Sequence, residues 1–151
     1  MKARLLWMCA LGPLALTTLA CGDDENENRG VPDAGMDAGT GPGMVSYTQD
    51  IQPVWNAYCV GCHNSASPQG GLNLEAGASY AQLVNVPTEC DPTLNRVVPN
   101  DLQASMLWRM LANRPDKCDG AMPLGSPGLI VVDPPAHLRV ESWINQGAPN
   151  N

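Results

Sequence analysis

The chain has 151 residues and a formal charge of −7, with 15 Gly and 14 Pro set against no Phe and only 5% aromatic residues. Less a removable leader and a polar tail, that length holds one domain of about 100 residues whose purely side-chain core would be thin. No basic run or patch occurs, which disfavours nucleic-acid partners.

Residues 1–20 carry Lys2 and Arg4, then an apolar run over 5–19 and a closing Ala20, the pattern of a secretory leader. The run is too short and wrongly flanked for a lasting membrane span. Thr18-Leu19-Ala20-Cys21 resembles the bacterial lipobox, with Thr18 where that family prefers Leu. The resemblance implies that Cys21 is lipidated and becomes the first mature residue, so the protein is exported and anchored to a membrane facing the periplasm. The other reading is an ordinary secreted protein with an incidental Cys. Gly22 is not a retention signal of the Asp type, which leaves the outer membrane or cell surface open. Residues 21–43 are rich in Gly, Asn and Pro, and six acids face the single Arg29; such a segment is expected to be a flexible acidic tether.

The folded domain is expected over residues 44–151. Asp50 reads as an N-cap, Pro53 falls in a first helical turn, and Ile51, Val54, Trp55 and Tyr58 form an apolar stripe. This helix runs into Cys59-Val60-Gly61-Cys62-His63. A turn-rich loop follows, then a short helix over 78–84 stopped by Asn85 and Pro87. Arg96-Val97-Val98-Pro99 reads as extended, and Asn100 or Asp101 as the cap of a helix through Leu111. Residues 112–132 read as a long irregular loop, a length that usually carries function. Asp133 caps a last helix with Pro134 at its first position, Ala136, Val140, Trp143 and Ile144 on one face, and Gly147 beyond its end.

The pentapeptide CxxCH carries the chemistry. Positions i, i+3 and i+4 of a helical turn share one face, so both thiols and the imidazole can meet one flat ligand, and the expected ligand is haem c. Cys59 and Cys62 would form thioethers with the porphyrin edge while His63 ligates iron. A redox dithiol or zinc held by Cys59, Cys62, Cys90 and Cys118 are the alternatives. Neither requires the adjacent His, no βαβ pattern surrounds the motif, and Cys90 and Cys118 are not a close pair. In an oxidising compartment Cys90 and Cys118 are the leftover pair and read as a disulfide, the alternative being two surface thiols.

The second axial ligand decides function, since a thioether opposite His63 favours reduced iron and suits electron transfer. Met106 and Met110 lie one turn apart on a helix and read as core, Met44 has no loop to carry it across a ring, and Met36 belongs to the tether. Met122, in Ala121-Met122-Pro123-Leu124-Gly125, sits in the late loop and is the assigned ligand. His137 is the alternative, read as a solvated residue off the apolar face of its helix.

The leading helix, CxxCH, Gly71-Leu72, Met122-Pro123 and closing Trp143-Ile144 together resemble the monohaem class I c-type cytochromes. Ile51-Gln52-Pro53, Gly71-Leu72-Asn73-Leu74, Val98-Pro99-Asn100-Asp101 and Trp143-Ile144-Asn145-Gln146-Gly147-Ala148 look like the planctomycete-type cytochrome c domain, also found in myxobacterial lipoproteins with acidic, Gly-rich tethers. The resemblance covers about residues 44–149. It implies an all-α fold wrapped around one covalent haem, with first and last helices crossing beside it and Trp55 packing near Trp143 and Ile144. It also implies that the free ring nitrogen of His63 donates to a backbone carbonyl, in the family often at the proline of a Gly-Pro motif, where this chain has Gly71-Leu72. The function implied is electron transfer between redox partner proteins, with no substrate transformed by the domain itself; a single CxxCH is one short of a dihaem peroxidase. Competing classes are a haem sensor with an open sixth position and a zinc-binding structural lipoprotein.

Overall fold

The computed structural model describes residues 43–151. The expected leader at 1–20, Cys21 with its expected lipidation, and the expected tether as far as residue 42 lie outside the described residues. Five α-helices are described: α1 (Gln52–Tyr58), α2 (Ser79–Leu83), α3 (Met106–Leu111), α4 (Leu129–Val132) and α5 (Pro134–Asn145). Among the described residues β-structure is limited to isolated bridges, so the all-α class expected from the sequence holds at that level. No described helix is long and apolar enough to cross a membrane.

The first helix begins earlier than Asp50. Ser46 is the cap: its Oγ accepts from the Gln49 N–H at 3.3 Å, and Asp50 Oδ2 accepts the Ser46 N–H at 2.8 Å, a reciprocal arrangement that satisfies two free donors. A widened π-type turn, Tyr47–Ile51, then leads into α1, and Pro53 sits where its missing N–H costs nothing. Helix α2 matches its expected place and stops where Asn85 takes φ 57.

Helix α3 starts at Met106, not at Asn100 or Asp101. Its free N-terminal donors are taken by a neighbouring strand-like segment: Met106 N–H donates to Asn95 O at 3.1 Å and Leu107 N–H to Arg96 O at 2.9 Å. The buried Ser105 is held in extended backbone, its Oγ donating to Asp101 O at 2.6 Å and accepting from Val98 N–H at 2.8 Å, so the expected first turn is spent on side-chain bonds. The stretch 112–132 is also not wholly irregular, since α4 forms at its end. Helix α5 follows its expected cap: Asp133 Oδ1 accepts from the Ala136 N–H at 3.0 Å, Pro134 opens the helix, and Gly147 beyond it has φ 90.

The core is built from few but large side chains. Trp55, Trp143, Ile51, Leu83, Val97, Val140 and Ile144 are fully buried. Tyr47 stands between the two tryptophans: Trp55 Nε1–H donates to its hydroxyl at 3.2 Å, and its ring lies 5.2 Å from that of Trp143. The hydroxyl donates in turn to Ser79 Oγ at 2.7 Å, so α2 joins the same network. Beside the CxxCH end of α1, Tyr58 OH donates to Asp133 Oδ2 at 2.9 Å, which ties the first helix to the cap of the last.

His137 corrects the sequence reading. It is 2% exposed, because the flank of α5 next to the expected apolar stripe is covered as well: Glu141, one turn on, takes the Trp108 Nε1–H of α3 at 2.7 Å. His137 Nδ1 lies 3.9 Å from Glu141 Oε2, and its buried Nε2 has no hydrogen-bond partner. Burial pushes its pKa below the usual 6.5, with Glu141 opposing. A folded pKa below the unfolded one means stability is complete above the unfolded value and falls as pH drops through the folded one. Urea unfolding between pH 7 and pH 5 should therefore lose stability in the wild type and lose less in His137→Leu; equal slopes would contradict this burial.

Cys90 and Cys118 are bonded across a sequence separation of 28, as the sequence reading expected. Closing such a loop restricts the unfolded chain by about 3.5 kcal/mol. The double variant Cys90→Ser/Cys118→Ser should lose roughly 3 kcal/mol in urea titration, and a loss below about 1 kcal/mol would mean other contacts hold both loops.

Candidate functional site

The carbonyls left free at the end of α1 build the site's first turn. Cys59 N–H and Val60 N–H both donate to Trp55 O, at 2.9 and 3.0 Å, and the next turn closes when His63 N–H donates to Cys59 O at 2.9 Å. Cys59, Cys62 and His63 are thus carried on one hydrogen-bonded turn anchored to the fully buried Trp55. Cys62 is exposed and Cys59 half-buried. Burial, and secondarily the neighbouring Cys62, pushes the Cys59 thiol up to about 12, so it is neutral at ordinary pH.

His63 Nδ1 lies 2.9 Å from Gln69 O. A carbonyl only accepts, so Nδ1 carries the proton and Nε2 is left with a free lone pair. The Gly-Pro position did not identify this acceptor: it is Gln69, two residues before Gly71-Leu72. What permits it is the Gly70-Gly71 doublet, with φ 62 and φ 58, a left-handed pair that side-chain-bearing residues rarely adopt. The Glu89 carboxylate lies directly against Gly71, where a Cβ would have to displace it, so the positive φ is the main reason for glycine here.

Met122 is partly buried against the main hydrophobic cluster, which Cys59 and Val60 also border. Its backbone is pinned on both sides: Met122 N–H donates to Met110 O at 3.0 Å, and Leu129 N–H donates to Met122 O at 2.9 Å. The late loop is therefore fastened to both α3 and α4. Of the other methionines, Met106 is buried and its Sδ accepts the Cys118 N–H at 3.3 Å, in keeping with a packing role, while Met44 is 46% exposed. Around the Met122 loop Leu124, Ile130, Val131 and Val132 are exposed apolar side chains that the sequence reading did not single out; the apolar run Leu129–Val132 is too short to display a period.

The disulfide withdraws Cys90 and Cys118 from any four-thiolate set. Among the described residues no group of three or more His, Cys, Asp or Glu is placed to hold a metal ion by itself. Comparison with protein-family models, curated proteins and solved structures finds no match.

The two thiols of CxxCH should differ in reactivity. In protein with both free, Cys62 should alkylate at pH 8 at least about tenfold faster than Cys59, because only the thiolate reacts and burial suppresses it at Cys59. Mass spectrometry of the quenched reaction measures the ratio, and equal rates would contradict the burial of Cys59.

Proposed function

We propose that the domain is a carrier of single electrons built on one covalent c-type haem. The observation that carries this reading is the turn Cys59 to His63, in which both thiols and an imidazole with a free Nε2 share one anchored loop end. Cys59 and Cys62 would hold the group through thioethers, and His63 Nε2 and Met122 Sδ would ligate its iron. The residues fit such a group in three ways: Nδ1 of His63 is already committed to a carbonyl, the Met122 backbone is fixed at both ends, and apolar side chains on the Met122 loop and α4 are exposed. When bound, the haem supplies a reversible one-electron couple.

The chain's own residues tune that couple. The Gln69 carbonyl, taking the Nδ1 proton, fixes the ring orientation of His63 and raises its basicity at Nε2. A methionine thioether is a weak, soft donor that favours the reduced iron and raises the potential. Anchorage on Trp55, and on Met110 and Leu129, limits how far either ligand can move. Held by His63 and Met122, the group would supply single-electron exchange with redox partner proteins. Lipidation at Cys21 would tether this carrier to a membrane on the oxidising side, where covalent haem attachment and the Cys90–Cys118 bridge are both possible.

The purified protein should show a haemochrome spectrum and, when reduced, resist CO at neutral pH. Met122→Ala should admit CO and lower the midpoint potential in an optical redox titration. An unchanged spectrum and potential in that variant would remove Met122 from the ligand set, and rapid CO binding by the wild type would favour the open-site sensor.

A further inference from the structure

We infer that Arg96 is a positioning residue for His63, holding the loop from which the Gln69 carbonyl takes the Nδ1 proton. Arg96 Nη2 donates to Gly70 O at 3.1 Å and to Gly71 O at 3.3 Å, while Nη1 donates to Gln82 O at 2.9 Å. The guanidinium thus clamps the two carbonyls that follow Gln69 to the end of α2. Two adjacent left-handed glycines have wide backbone freedom when nothing restrains them, and a planar fork with several donors restrains two carbonyls at once in a way one ammonium does not. The Glu89 carboxylate, packed against Gly71, supplies a neighbouring negative charge for the half-buried guanidinium.

The backbone of the same residue reaches the other half of the site. Arg96 N–H donates to Val86 O at 2.8 Å, and Arg96 O accepts the Leu107 N–H of α3 at 2.9 Å. Helix α3 carries Met110, whose carbonyl holds the Met122 N–H. Side chain and main chain of Arg96 therefore connect the His63 loop to the element that fixes Met122. The role in redox tuning rests on the proposed haem ligation by His63; the clamp itself does not.

The test uses the full exported protein as purified, with Arg96→Ala, Arg96→Lys and a control, Val140→Ala, which removes buried volume from α5 away from the clamp. Two quantities are read: hydrogen exchange of the His63 Nδ1–H by NMR of the reduced protein, and the midpoint potential. In Arg96→Ala the exchange should quicken about tenfold, as expected for loss of a supporting partner. A less basic His63 stabilises oxidised iron less, so the potential should rise, by about 59 mV for a tenfold change in a one-electron equilibrium. Arg96→Lys, which keeps the charge without the fork, should fall between, and it decides the matter if the Ala variant does not fold. Unchanged exchange and potential in the Arg96 variants, or equal shifts in Val140→Ala, would overturn the positioning role. A wild-type protein without a haemochrome band would instead remove the haem reading and the redox-tuning role that rests on it, while exchange of the His63 Nδ1–H would still test the clamp.

Discussion

The hydrogen bond from His63 Nδ1–H to the Gln69 carbonyl is where the described structure and its proposed chemistry meet. With the carbonyl as acceptor the proton sits on Nδ1, which leaves Nε2 as the nitrogen for the proposed ligation. The bond depends on parts far apart in sequence. Trp55 anchors the turn that carries His63, the Gly70-Gly71 doublet brings the carbonyl round, and Arg96 restrains the doublet from a segment more than twenty residues away. A local motif is made useful by a non-local frame.

That frame also compensates for a core with few aromatic residues. Tyr47 fills the space between Trp55 and Trp143 and shares its hydroxyl with Trp55 and Ser79, so one side chain joins α1, α2 and α5. The ends of the described chain are drawn into the same unit: Tyr47 N–H donates to Asn151 Oδ1 and Val45 N–H to Gln146 Oε1, both at 2.8 Å. On the other side, the Cys90–Cys118 bridge ties the segment before Arg96 to the loop before Met122. Each half of the proposed ligand set is thus braced by polar, covalent and aromatic contacts, where a larger domain would rely on apolar bulk.

What could be read from the sequence follows how local its cause is. CxxCH, the Asp133-Pro134 start of α5, the Gly147 stop and the pairing of Cys90 with Cys118 were legible because spacing, capping or a leftover count specifies them. The expected contact of Trp55 with Trp143 and Ile144 placed the right residues in one cluster but missed Tyr47 between them. The late start of α3 was not legible, because its N-terminal donors are satisfied by Asn95 and Arg96, which no local pattern announces. His137 was misplaced because a helical stripe describes one face, while α3 covers the adjoining flank of α5. With Gly71-Leu72 in place of the Gly-Pro motif the sequence left the acceptor for His63 open; a left-handed glycine pair presents Gln69, and only the closed loop reveals that.

The central claim is that Cys59, Cys62 and His63 form a haem attachment turn, and the peptide mass map of the purified protein tests it most directly. The account predicts one haem covalently linked through both cysteines of the peptide containing Cys59-Val60-Gly61-Cys62-His63, with no reaction of either thiol toward an alkylating reagent. Free, alkylatable Cys59 and Cys62 in the mature protein would contradict it.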